Sequence, residues 1–99
     1  MDKAYFENKV CVVTGASTGI GYGLAEKLLS LGATVYLVAR SKDKLKEDKE
    51  KLAAQYGDRV QVKAADVSDN EAVRQMIDDV FGKEGRIDFL FNNAGIGQA

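Results

Sequence analysis

The sequence contains no histidine and only one cysteine, Cys11. The first absence removes imidazole acid–base catalysis and the usual zinc sites, so no metal centre is expected. The second rules out a disulfide framework within one chain. Cys11 stands inside an apolar run with nothing electropositive next to it, as a small core hydrophobe does. An excess of one charge is also lacking: 14 Lys and Arg face 15 Asp and Glu. That balance offers no footprint for nucleic acid or an anionic membrane. No apolar run approaches the ~18 residues of a membrane span, and the first turns of chain carry no signal-peptide core, so a cytoplasmic protein is expected. Linkers, repeats and low-complexity segments are missing too. What remains is 99 residues with a hydrophobic fraction of 45%, ordinary for one globular domain.

Apolar runs and helical patterns alternate along the chain. Val10 to Val13 is a continuous run of β-formers, read as a strand buried on both faces. Ile20, Leu24, Leu28 and Leu31 then repeat at helical spacing, and Gly32 stands where a helix end wants a left-handed residue. Thr34 to Ala39 reads as a second strand. Ser41 can cap the charged helix that follows, in which Leu45, Leu52 and Tyr56 share a face and Gly57 ends the pattern. Val60 to Ala64 alternates apolar with polar, as a strand exposed on one side does. Ser68 and Glu71 form a capping box ahead of a third helix striped by Val73, Met76, Ile77, Val80 and Phe81. Ile87 to Phe91 is the fourth strand. The order β-α-β-α-β-α-β, with a helical crossover at each connection, predicts an α/β fold: a parallel sheet with helices on its faces. Right-handed crossovers and a reversal after the third strand give the sheet order 3-2-1-4.

Both outer strands are then edges, yet only the third is built like one. Ile87, Phe89, Leu90 and Phe91 would form an exposed apolar edge, a liability that natural sequences avoid. A fifth strand is expected to pair there, from further sequence or from another chain, so the sheet is read as incomplete.

The strongest local signal is Thr14-Gly15-Ala16-Ser17-Thr18-Gly19-Ile20-Gly21, between the first strand and the first helix. Glycines allow the turn and a close backbone approach, and the amides at the helix N-terminus face an anion such as a pyrophosphate. The spacing is G-x-x-x-G-x-G and not the common G-x-G-x-x-G. It fails as a P-loop as well, because Ile20 stands where the second glycine belongs and Gly21 where the lysine does. The competing interpretation is a glycine-rich turn without a ligand.

Three landmarks together resemble the classical short-chain dehydrogenase/reductase family: T-G-x-x-x-G-I-G after the first strand, Asp66-Val67 after the third, and Asn92-Asn93-Ala94-Gly95 after the fourth. They fall in family order across nearly the whole chain. The resemblance implies a Rossmann-like doubly wound sheet, of which residues 1–99 are the cofactor-binding half of a single domain. It implies that Gly15, Ser17, Thr18, Gly19, Ile20 and Gly21 wrap the adenosine ribose and the pyrophosphate. Asp66 would accept a hydrogen bond from the adenine amino group, with the Val67 backbone beside it. Asn93, Ala94 and Gly95 would lie along the ribose and support the sheet, and Asn92 would be structural. Asp66 is otherwise an ordinary solvated carboxylate near a helix start, which Ser68 and Glu71 also explain.

Cofactor choice follows from charge. Enzymes using NAD usually carry Asp or Glu at the end of the second strand to hold the ribose 2′-hydroxyl. Ala39 occupies that place here, followed by Arg40 and Ser41. A guanidinium offers a planar fork to a 2′-phosphate and Ser41 adds a hydroxyl, so NADP(H) is favoured over NAD(H). If Arg40 is only a solvated strand-end residue, the preference stays open.

The family's chemistry uses a serine and a Tyr-x-x-x-Lys pair, expected outside these residues, so no catalytic residue is assigned here. Tyr5 and Lys9 match Tyr-x-x-x-Lys literally but precede the first strand. A strand of about five residues at ~3.3 Å each separates them from the carboxyl-end site by ~16 Å. The segment Lys42 to Lys51 interleaves its lysines with Asp43, Glu47, Asp48 and Glu50, and Glu47 can pair with Lys51, so it reads as a solvated helix face. Tyr22, Tyr36 and Tyr56 read as packing residues. The resemblance thus implies an NADP(H)-dependent oxidoreductase acting on a carbonyl or alcohol, homo-oligomeric as a whole protein, with its small-molecule substrate contacted elsewhere. The alternative is a non-catalytic nucleotide-binding module completed by a partner chain.

Overall fold

The computed structural model describes residues 3–16 and 19–93. The elements run α1 (Lys3–Phe6), β1 (Val10–Thr14), α2 (Gly19–Ser30), β2 (Thr34–Ala39), α3 (Lys42–Tyr56), a 3-10 turn (Gly57–Arg59), β3 (Val60–Ala64), α4 (Asn70–Glu84) and β4 (Phe89–Asn92). The four strands form one parallel sheet in the order β3-β2-β1-β4. This is the doubly wound, Rossmann-like arrangement expected from the pattern.

The two-residue period of β1 and β2 divides the core. Cys11, Val13, Val35 and Leu37 point to one face, where Leu28 and Leu29 of α2 and Leu45 and Leu52 of α3 cover them. Val10, Val12, Tyr36 and Val38 point to the other, covered by Met76 and Val80 of α4. Full burial of a Leu such as Leu28 contributes roughly 1.5–3 kcal/mol, so these two layers hold the helices to the sheet. Cys11 is fully buried in the first layer, and that burial, helped by the negative charge of Asp88, pushes its thiol pKa up to about 11. The thiolate that a nucleophile needs is therefore suppressed. Tyr36 packs in the second layer while its hydroxyl donates to Glu84 at 2.6 Å, tying β2 to the end of α4.

Ser41 caps α3, its hydroxyl oxygen accepting from the Lys44 amide at 3.2 Å. Gly32 (φ 94°) and Gly57 (φ 61°) both take the positive φ that the ends of α2 and α3 require. The guanidinium of Arg59 donates to the Leu29 and Ala33 carbonyls at 3.0 and 2.8 Å, tying the 3-10 turn ahead of β3 to the end of α2 and the turn that follows it.

The elements depart from the sequence reading in four places. The short helix α1 carries no pattern long enough to announce it. Strand β4 spans Phe89–Asn92, not Ile87–Phe91: its register with β1 runs from Cys11–Phe89 to Thr14–Asn92, so it ends level with Thr14. The cap of α4 is Asp69, whose Oδ1 accepts from the Glu71 and Ala72 amides, and not Ser68. Ser68 is engaged instead by Asp66. Finally, among the described residues the ion pair within α3 is Lys44–Asp48 and not Glu47–Lys51, and Asp48 is buried within the segment that the charges mark as a solvated face.

The apolar edge is partly covered. Phe89 and Phe91 stack together, and Tyr5 and Phe6 of α1 lie against Phe89 with ring centroids 5.7 and 5.3 Å away. Leu90 points to the opposite face and is 49% exposed. Among the described residues, no helix is long and apolar enough to cross a membrane.

Candidate functional site

Parallel pairing brings all four carboxyl ends to one side of the sheet. Thr14 is level with Val38 on one neighbour and Asn92 on the other, and Ala39 is level with Ala64. The turns leaving these ends carry the residues singled out in the sequence. Ligands of open α/β sheets bind outside carboxyl ends, where the strand order reverses. That reversal falls here between β1 and β4.

The turn after β1 is built by two close approaches. Gly15 has φ 66°, where a side chain would be strained, and the Ala16 amide donates to the Val38 carbonyl at 3.3 Å. The first turn of α2 then packs on this turn so tightly that a Cβ on Gly21 would lie 2.3 Å from the Gly15 oxygen. Gly19 differs: a Cβ there meets nothing within 4 Å among the described residues. Among the described residues, packing does not require its lack of a side chain, and Gly19 is exposed as the first residue of α2. Ile20, beside it, is 65% exposed. Ser17 and Thr18 lie outside the described residues.

At the end of β2, Arg40 is exposed and Ser41 caps α3 with its oxygen, leaving the hydroxyl hydrogen to be donated outward. The turn after β3 is joined to this one through the Ala65 amide, which donates to the Ala39 carbonyl at 2.9 Å. Asp66 is exposed there, and its Oδ1 accepts from the Ser68 amide (2.9 Å) and hydroxyl (2.7 Å). These Ser68 bonds, with a smaller contribution from the positive charge of Arg40, hold the Asp66 pKa below the ordinary carboxylate value. Arg40 and Asp66 are thus neighbours across the two turns. A carboxylate accepts about four hydrogen bonds, so Asp66 keeps acceptor capacity for a ligand amino group. Val67 is half-buried against the α4 layer, which leaves its backbone as the part available to a ligand.

The Asn93 side chain brings a further sign of a ligand, because its Nδ2 is buried without a hydrogen-bond partner. Buried donors are nearly always satisfied, and an orphan beside the reversal point fits a group supplied from outside. Ala94 and Gly95 lie outside the described residues.

Thr14 heads the glycine motif in the sequence but has no role assigned to it there. It is buried at the end of β1, and its hydroxyl donates to Asn92 Oδ1 at 2.9 Å and accepts from the Asn93 amide at 3.1 Å. It thereby clamps the end of β4 to the start of the glycine turn. The signal was a hydroxyl residue closing an apolar strand, but its partners lie almost eighty positions away. Tyr5 and Lys9 flank the amino end of β1, across the sheet from this site, and Tyr5 packs on Phe6 and Phe89.

These residues offer an anionic, hydrogen-bonding ligand such as a dinucleotide the first turn of α2, an exposed guanidinium and hydroxyl after β2, a carboxylate after β3, and an unpaired side-chain amide after β4. The comparisons with known proteins agree in kind. The family model described as short chain dehydrogenase matches residues 9–99. A short-chain dehydrogenase/reductase of Armillaria gallica is 41% identical over 88 residues, which is 89% of this chain and 28% of that protein. The chain thus spans less than a third of that relative's length. L-sorbose reductase from Gluconobacter frateurii, solved with NADPH and L-sorbose, superposes with a TM-score of 0.89 at 41% identity, over 99% of this chain and 37% of that one. A metagenomic short-chain oxidoreductase solved with NADP gives a TM-score of 0.79 at 40% identity, over 86% of this chain and 38% of that one.

Proposed function

The chain belongs to the short chain dehydrogenase family, and on that premise we propose that it is the NADP(H)-binding part of an oxidoreductase that passes hydride between the cofactor and a carbonyl or alcohol carbon. When bound, the cofactor supplies or accepts that hydride at its nicotinamide; the contribution of this chain is binding and orientation. The pyrophosphate lies on the N-terminus of α2, its approach opened by Gly19. Asp66 accepts from the adenine amino group. The Asn93 amide and the turn after β4 hold the ribose on the nicotinamide side.

The observation that carries the choice of cofactor is Arg40, exposed after β2 in a turn without a carboxylate at the Ala39 position. An acidic side chain there would accept from a 2′-hydroxyl and repel a 2′-phosphate; a guanidinium reverses both preferences. The two related enzymes solved with NADPH and NADP support this reading.

Fluorescence titration of the protein with NADPH and NADH tests it. NADPH is expected to bind the more tightly, and Arg40→Asp to weaken it by roughly tenfold or more while sparing NADH, since a charge-assisted bond is replaced by repulsion. Equal affinity for both cofactors, unchanged in the variant, would remove the NADP assignment.

A further inference from the structure

One carboxylate has no part in the fold or in the cofactor site described so far. Asp48 stands three residues after Leu45 and four before Leu52, on the face that α3 turns to the sheet, and is only 1% exposed. Its Oδ1 faces Lys44 Nζ at 3.6 Å, and its Oδ2 is buried without a hydrogen-bond partner. This is a poor device for stability. One loose ion pair does not recover the desolvation of a buried carboxylate, and the orphan oxygen adds a further penalty. The order is also the weaker one on a helix, with the lysine preceding the acid.

Its position suggests another use. Lys44 lies in the first turn of α3, and its amide donates to the oxygen of Ser41, the residue after Arg40. Across from it stands Tyr22, in the first turn of α2. Burial and the charges of Glu26 and Asp48 raise the Tyr22 pKa, while Lys44 lowers it. Lys44 thus lies in the first turn of α3, close enough to the first turn of α2 for its charge to act on Tyr22. Helical side chains lean toward their own N-terminus, which for Lys44 is the direction of Ser41 and Arg40. Asp48, one turn further along, draws the ammonium the other way.

We propose that Lys44 is a second cation for the cofactor 2′-phosphate, held in reserve by Asp48 and passed from the carboxylate to the phosphate when the cofactor docks. This rests on the NADP(H) reading above. A phosphate monoester carries about −1.5 to −2 charge and presents three acceptor oxygens, a stronger partner than one carboxylate oxygen at the distance observed. A ligand without the 2′-phosphate has nothing to draw Lys44 out. Asp48 is then a specificity-setting residue that touches no ligand: the tighter it holds Lys44, the smaller the gain from the 2′-phosphate.

Binding of adenosine 2′,5′-bisphosphate and of adenosine 5′-monophosphate, measured by calorimetry on the protein and five variants, tests this. Lys44→Met is expected to weaken the bisphosphate by roughly fivefold or more and leave the monophosphate unchanged, with Lys44→Arg keeping most of the affinity. Asp48→Asn, close in shape, is expected to tighten the bisphosphate alone, and to lose that effect when combined with Lys44→Met. Arg40→Ala is the control. If Arg40→Ala weakens the bisphosphate and Lys44→Met does not, the reserve cation is overturned while the cofactor reading stands. If neither variant changes it, the NADP(H) reading falls and this inference with it. Tightening by Asp48→Asn that persists without Lys44 would mean that Asp48 acts through its own charge, and would overturn the exchange.

Discussion

Gly19 and Gly21 are two positions apart in the first turn of α2, yet they answer to different constraints. A methyl on Gly21 would lie 2.3 Å from a backbone oxygen, which no rotamer change relieves. Gly21→Ala is therefore expected to destabilise the fold by roughly 1–3 kcal/mol, as overpacking does, with the loss read from a denaturant midpoint. A methyl on Gly19 meets nothing within 4 Å among the described residues, and alanine favours the helix by up to about 1 kcal/mol. On the proposed reading, Gly19→Ala should keep or raise the melting temperature while weakening NADPH several-fold, because the methyl would stand where the pyrophosphate approaches. Unchanged NADPH affinity would mean that this turn does not hold the ligand. The sequence singled out both glycines but not this division, which depends on how α2 folds back over its own turn. Asp48 was legible in another sense. The spacing 45, 48, 52 places it on the apolar face, but the surrounding run of lysines and acids made the whole segment look solvated. Thr14 could not be understood locally, since its hydroxyl acquires meaning only when β4 comes alongside.

Elements whose pattern is long and regular were readable, and their ends were less so. Strands β2 and β3 match the residues expected from their patterns, because each is bounded by a glycine, a cap or a change of period. The N-terminus of α4 was misassigned by one residue. Ser68 with Glu71 and Asp69 with Ala72 both place a capping side chain three residues ahead of a free amide, and only the fold chooses. It chooses Asp69 because Asp66, at the end of the turn from β3, takes both the amide and the hydroxyl of Ser68. The two serve different ends: Asp69 stabilises the helix and Ser68 shapes the turn that presents Asp66. Asp69→Ala should accordingly cost about 1 kcal/mol of stability, with NADPH affinity little changed. Ser68→Ala should cost less stability, let the Asp66 pKa rise toward its ordinary value, and weaken NADPH through a less ordered carboxylate. Paired urea melts and cofactor titrations distinguish the two, and the reverse ranking would return the cap to Ser68.

At the scale of the whole molecule, the sheet has two unlike edges. On β3, Gln61 and Lys63 interrupt the apolar residues, and Lys63 reaches Asp79 of α4 at 3.6 Å, so the edge is charged as natural edges usually are. On β4 the protection is one-sided. Helix α1 covers Phe89 with its aromatic pair, while Leu90, on the α4 face, is half exposed, and Phe81 of α4 is 55% exposed as well. The alternation along β4 makes this unavoidable: a strand that packs Phe89 and Phe91, both half-buried, on one face must present Leu90 on the other. A net charge of −1 supplies little repulsion against association at such an edge. The 99-residue chain is therefore expected to self-associate with rising concentration in sedimentation equilibrium. Leu90→Lys should shift it toward monomer with little change in melting temperature, because Leu90 is already half in water and a lysine on an edge opposes strand addition. A wild-type chain that stays monomeric to high concentration would mean that Leu90 and Phe81 do not form a contact surface. Reduced association by Leu90→Lys without a loss of NADPH affinity would place that surface away from the cofactor site and assign it to the side of the sheet where α4 lies.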